Sequence, residues 1–147
     1  MRLVPLVAMG FSLVALSGPA AAQNTPAGHW LTQGKDAVIA IEPCGPALCG
    51  RIVGVTLDNP SDPIPRDHEG RSQCGLTIIR AVRDGDAGWT ARIVDPRDGN
   101  DYRARLQLDE QHRLRVRGYI GIPLFGQTEV WTPFRGPIPD DCRLPPL

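Results

Sequence analysis

The chain has 147 residues, with 16 basic side chains balancing 16 acidic ones, so its formal net charge is zero. That balance gives no bulk attraction to nucleic acid or to an anionic membrane. Lys35 is the only lysine, so nearly all the positive charge is guanidinium, which stays charged when half buried and makes forked contacts to anions.

Met1-Arg2 opens a short apolar run from Leu3 to Leu16, followed by Ser17-Gly18-Pro19 and the small residues Ala20-Ala21-Ala22. A positive start, an apolar stretch shorter than the ~18 residues of a membrane helix and an Ala-x-Ala end are the marks of a secretory signal peptide. Cleavage after Ala22 is expected, which leaves 125 of the 147 residues as one mature domain in the periplasm or outside the cell. Thiols oxidise there, so the four cysteines are expected to pair. No later run reaches membrane-spanning length, so no integral membrane segment is expected once the signal is removed.

The mature chain reads as strands broken by turns. Gly28–Thr32 comes first, then the β-branched runs Asp36–Glu42 and Gly50–Leu57. Asp58–Arg71 holds three prolines and almost no apolar content, and reads as a long surface loop. Cys74–Val82 and Trp89–Val94 are the next strands. Tyr102, Ala104, Leu106 and Leu108 then alternate with Asp101, Arg103, Arg105 and Gln107, and Leu114, Val116 and Gly118 alternate with Arg113, Arg115 and Arg117. Period two marks half-buried strands. Gln127–Phe134 is the last candidate, and a proline-rich tail follows, with Cys142 as its only anchor. Asp84-Gly85 and Asp98-Gly99 suit tight hairpins. No ten-residue stretch has a helical period. About eight short strands with hairpin connections imply an all-β, antiparallel up-and-down barrel over residues 23–132, with residues 133–147 as a tail. Closure removes the exposed edges that promote aggregation.

Six motifs now stand in order: Gly28-x-Trp30; Ile41-x-Pro43-Cys44-Gly45-x-x-Leu48-Cys49-Gly50-Arg51-Ile52; Cys74-Gly75-Leu76; Asp95-Pro96-x-Asp98-Gly99-x-x-Tyr102; Leu114-x-Val116-Arg117-Gly118-Tyr119-Ile120-Gly121; and Phe125-Gly126 before Trp131. In this series the chain resembles the exported bacterial family known as domain of unknown function 2147. The resemblance implies a small lipocalin-like barrel outside the cytoplasm. It lends a fold and an address, not a chemistry.

Cys44 and Cys49 flank a turn between two strands, so a bridge bracing that hairpin is expected. Their spacing is not that of a thioredoxin-like pair. Cys74 and Cys142 are left to pair with each other, although four cysteines allow three connectivities. Loop entropy assigns ~2 kcal/mol to the short bridge and ~4 kcal/mol to the long one. His29, His68 and His112 lack metal-ligand spacing, so no metal site and no cofactor are expected. Ser61 and Ser72 lie outside any nucleophile motif, and the acids of Asp95–Asp101 do not follow calcium-loop spacing, so no catalytic residue is assigned and an enzyme is not expected.

Two candidate sites remain. A barrel of about eight strands either fills with side chains or holds one small ligand. In the second case Trp89, Tyr102, Tyr119, Phe125 and Trp131 would line or rim a cavity for an apolar or amphipathic molecule, and the glycine-framed loop Gly118–Gly126 would plug the barrel or form its lip. The other candidate is an anion- or partner-binding face built from Arg103, Arg105, Arg113, Arg115 and Arg117. A hairpin around Asp109-Glu110-Gln111 that pairs Leu106 with Leu114 sets Arg105 opposite Arg115 and Arg103 opposite Arg117, and like charges directly opposite each other are unfavourable unless solvated or given anions. The leading expectation is therefore a periplasmic carrier of a small ligand. The alternatives are an interaction or envelope-stress module using the arginine face, and an enzyme of unrecognised type. An open cavity favours the first; a filled interior behind an arginine face favours the second.

Overall fold

A computed structural model describes residues 24–86 and 88–147, so the expected signal peptide and its cleavage point lie outside the described residues. Among the described residues, nine strands form one sheet: β1 (Gly28–Leu31), β2 (Ala37–Cys44), β3 (Ala47–Thr56), β4 (Thr77–Arg83), β5 (Trp89–Val94), β6 (Asp101–Leu108), β7 (Leu114–Tyr119), β8 (Gln127–Pro133) and β9 (Arg143–Leu144). Neighbours run β2-β1-β8-β7-β6-β5-β4-β3-β9, and β2 also pairs with β3. That extra pairing closes β1–β8 into an antiparallel eight-stranded barrel, as the alternating pattern requires. Among the described residues, one 3₁₀ turn, Pro123–Phe125, interrupts the β architecture.

Closure forces every strand residue inward or outward. Trp30, Ile39, Ile41, Leu48, Ile52, Ile79, Leu106, Leu114, Val116 and Trp131 point inward and form one buried cluster with Ala81, Ala91 and Ala104. The alanines fall where β4, β5 and β6 lie side by side (Ala81↔Ala91↔Ala104), and larger residues from the other strands fill the space they leave. Ile39, Ile41, Ile79, Leu106 and Leu114 are fully buried. The interior of this barrel is packed with side chains.

The ends are closed differently. At one end the N-terminal segment folds in: Pro26 is fully buried, and its carbonyl accepts the Trp30 indole N–H at 2.8 Å. At the other end the β3–β4 loop does more than cross the surface. Ile64 packs on the core with Leu57 and Leu76, and the His68 amide donates to the Pro96 carbonyl at 2.9 Å, which ties the loop to the β5–β6 turn.

Both disulfides pair as expected, Cys44 with Cys49 and Cys74 with Cys142. The tail is held by more than its cysteine. β9 pairs in parallel with β3, Leu144 is buried, and Arg143 Nη1 donates to the carbonyls of Pro60 and Asp62 at 2.9 and 2.6 Å. Leu144 lies where a side chain on Gly54 would otherwise stand, since a Cβ there would come within 2.4 Å of it.

The β6–β7 register differs by two residues from the expected one. Leu108 pairs with Leu114, Leu106 with Val116, and Arg105 with Arg117; Gln107 faces Arg115, and Arg103 faces Tyr119. The cause is a five-residue turn, Asp109–Arg113. The Asp109 amide donates to the Arg113 carbonyl, and the Asp109 carboxylate accepts the Gln111 and Arg113 amides and the Arg113 guanidinium. His112 takes the left-handed conformation there, φ 57°. A slip of two keeps each side chain on its face, so the in–out assignment survives. The same device recurs at Asp67–Arg71, where Asp67 accepts the Glu69 and Arg71 amides and the Arg71 guanidinium, and Gly70 takes the left-handed position.

Leu106→Ala should lower stability by about 2–5 kcal/mol in chemical denaturation, whereas Leu124→Ala, at an exposed site, should stay within about 0.5 kcal/mol. Removing the long bridge with Cys142→Ser should free the tail, read as new proteolysis C-terminal to Pro133, with the barrel still folded.

Burial pushes the Asp67 carboxyl up, but the Arg71 amide and guanidinium and the Glu69 amide outweigh it and hold the group below the usual carboxylate range. A carboxylate held low stabilises the fold above its unfolded pKa, ~3.9, and that contribution is lost as pH falls through the lower folded value. Protection of the amides of residues 58–76, corrected for the intrinsic exchange rate, should fall below about pH 4, and Asp67→Asn should remove this pH step.

Candidate functional site

The inward-facing candidates do not surround a common cavity. Trp131 is core, its indole N–H donating to Glu129 Oε2 at 2.7 Å. Tyr102 points inward beside Ile93, half-buried at the end where the β3–β4 loop lies. Trp89 also points inward, but at the opposite end, with its indole N–H on the Asn24 carbonyl and the Arg83 guanidinium 5.7 Å above its ring. It borders a small cleft of about 140 Å³ shared with Asn24, Pro26 and Leu108. Pockets for organic ligands usually measure ~300–1,000 Å³, so this cleft is undersized.

Tyr119 lies on the outer wall, not in the interior. It faces Arg103 across the ladder and is buried beneath the β7–β8 loop, where Gly126 approaches its Cβ so closely that a side chain at 126 would fall 2.9 Å away. Phe125 is 78% exposed, so the loop neither plugs the barrel nor lines its interior. It folds over the outside of β7 instead.

That fold-over creates a concavity of about 520 Å³ on the outer wall, lined by Arg105, Gln107, Arg115, Arg117, Leu124 and Thr128. Strand alternation puts these side chains there: β6 supplies Arg105 and Gln107, β7 supplies Arg115 and Arg117, and β8 supplies Thr128, which faces Arg117 across the ladder. Leu124, from the 3₁₀ turn, forms the rim. Arg117 ties rim to wall, with Nη1 donating to Thr128 Oγ1 at 2.8 Å and Nη2 to the Leu124 carbonyl at 3.3 Å.

Three of the five expected arginines therefore converge. Arg113 leaves the group, because its guanidinium closes the Asp109 turn at 2.8 Å. Arg103 stays on the outer wall, beside Tyr119 rather than in the pocket. Nearby carboxylates are engaged elsewhere: Asp101 holds Arg92, Asp84 accepts the Thr90 hydroxyl, and Asp109 holds Arg113. Among the described residues, Arg105 and Arg115 form no ion pair with a carboxylate. Leu124 and Thr128 were not singled out from sequence. The glycine-framed apolar loop was the visible signal for Leu124, but alternation alone does not say which way a loop folds.

A concave wall with three guanidiniums can receive a carboxylate, sulfate or phosphate through forked, charge-assisted hydrogen bonds. At the rim, exposed Leu124 offers apolar contact beside them. Polar and apolar recognition thus meet along one edge.

No curated protein matches the chain. Among solved structures, the chain is similar to protein HP1028 from Helicobacter pylori, described as belonging to the lipocalin family. The two share 14% identity over 74% of this chain and 82% of that one, with a TM-score of 0.62. At that identity the likeness concerns the fold, and it agrees with the closed barrel. The family described as "Uncharacterized protein conserved in bacteria (DUF2147)" matches residues 28–133, from the first strand of the barrel to the end of the last, and the chain belongs to this family.

Proposed function

We propose that this protein is an extracytoplasmic binding module for a small anionic amphiphile, received in the arginine-lined pocket on the outer wall rather than inside the barrel. The observation that carries this reading is the convergence of Arg105, Arg115 and Arg117 on one 520 Å³ concavity whose rim, Leu124, belongs to an exposed apolar loop. The two disulfides and the leader-like N-terminus support a site of action outside the cytoplasm. The packed interior argues against the more familiar use of such a barrel. Arg105 and Arg117 sit directly opposite each other across the ladder, and like charges so placed favour a bound anion.

Calorimetric titration with decanoate and decyl sulfate, with decanol as the uncharged control, tests the reading. Both anions should bind and decanol should not. The double variant Arg105→Ala/Arg115→Ala should weaken anion binding at least about tenfold, and raising salt from ~0.15 M to ~0.5 M should weaken it further. Trp89→Phe, whose side chain points into the barrel and not into the pocket, should leave affinity unchanged. Binding that tracks Trp89 or Tyr102 and ignores both arginines would move the ligand to the interior and defeat the proposal.

A further inference from the structure

The most exposed large apolar side chains of the described residues gather in one six-residue loop. Ile120 is 77% exposed, Leu124 75%, Phe125 78% and Ile122 52%. Gly118–Gly126 contains no charged residue. An apolar cluster held out in water is unfavourable and marks a surface that is covered when the protein works.

The loop is built to present that cluster. Gly121 takes the left-handed conformation, φ 81°, and the Phe125 amide donates to the Ile122 carbonyl within the 3₁₀ turn. Gly126 packs against the Gly118 carbonyl, where a Cβ would stand 2.4 Å away. Arg117 holds the Leu124 carbonyl from the wall. Behind the apolar tip lie Arg105, Arg115 and Arg117, with Arg103 beside Tyr119. The chain as a whole is neutral, so this side gains its positive character from position and not from net charge.

Apolar side chains projecting ahead of a guanidinium cluster match the layering of a lipid surface, in which acyl chains lie beneath anionic headgroups. We propose that Ile120–Phe125 docks the protein onto an anionic bilayer, and that the pocket takes a phospholipid headgroup from that surface. This deepens the reading of the pocket and rests on it: the amphiphile is supplied by a membrane.

Co-sedimentation with vesicles tests it, using phosphatidylcholine alone and phosphatidylcholine mixed with phosphatidylglycerol. The protein should sediment with the mixed vesicles and not with the neutral ones. Ile120→Ser/Phe125→Ser, at two exposed positions outside the pocket lining, should reduce partitioning at least about tenfold while decanoate binding persists. Arg115→Ala should reduce partitioning about fivefold. A circular dichroism spectrum matching the parent confirms that the loop variant folds. Equal sedimentation with neutral and anionic vesicles, no sedimentation with either, or a loop variant that partitions like the parent overturns the docking proposal, and persistent decanoate binding then leaves the pocket standing by itself. A dimer in sedimentation velocity that the loop variant abolishes assigns the loop to a second copy and likewise overturns it. Loss of decanoate binding in the parent protein defeats the pocket reading directly.

Discussion

Closure of the barrel is the constraint on which everything else depends. Once β2 pairs with both β1 and β3, no strand residue can be ambiguous between inside and outside. The eight-stranded circumference leaves an interior that the inward side chains fill. Every arginine alternating with them must then stand on the outer wall. The pocket is thus a by-product of core packing: the alternation that buries Ala104 and Leu106 exposes Arg105. Its depth comes from a second event, the folding of the β7–β8 loop down over β7.

This explains what was legible in the sequence. Alternation on β6 and β7 is strict, and a closed sheet turns alternation directly into faces, so the division between core and arginine wall could be read without coordinates. Register could not. Asp109–Arg113 looks like three polar turn residues between two strands, but its carboxylate-centred hydrogen bonding absorbs Arg113 and places Leu108 opposite Leu114. The chain carries that device twice, in Asp67-His68-Glu69-Gly70-Arg71 and Asp109-Glu110-Gln111-His112-Arg113, and the shared Asp and Arg four residues apart were the signal. Tyr119 was hidden for a different reason: its burial comes from the loop that folds over it, a tertiary event that no period records.

The same distinction separates the two uses of the aromatic residues. Trp30 and Trp131 are interior because their strands alternate them inward, and each indole N–H finds an acceptor close in sequence, the Pro26 carbonyl and the Glu129 carboxylate. Phe125 is exposed because it sits in a turn that the sheet does not constrain. Large aromatic side chains therefore mark either core or exposed surface in this fold, and only the local backbone decides which. A lipocalin-like outline carries no guarantee of a hollow centre; here inward side chains fill the lumen, and the arginine-lined concavity lies on the wall.

The closing seam has one further consequence. β1 and β8 share only two paired positions, Trp30 with Pro133 and Leu31 with Thr132, helped by the Gln33 side chain accepting the Val130 amide and the Phe134 amide donating to the His29 carbonyl. Neither disulfide crosses it. One bridge staples the β2–β3 hairpin and the other ties the start of β4 to the tail, both among the strands that follow β1 around the circumference. Joining residues about a hundred positions apart makes this ladder the entropically slowest contact to form, and its brevity makes it the easiest to part. The cylinder is thus a belt with a short buckle: when it opens, it should unroll at β1–β8 into a curved ribbon whose other half stays covalently held and ready to re-close.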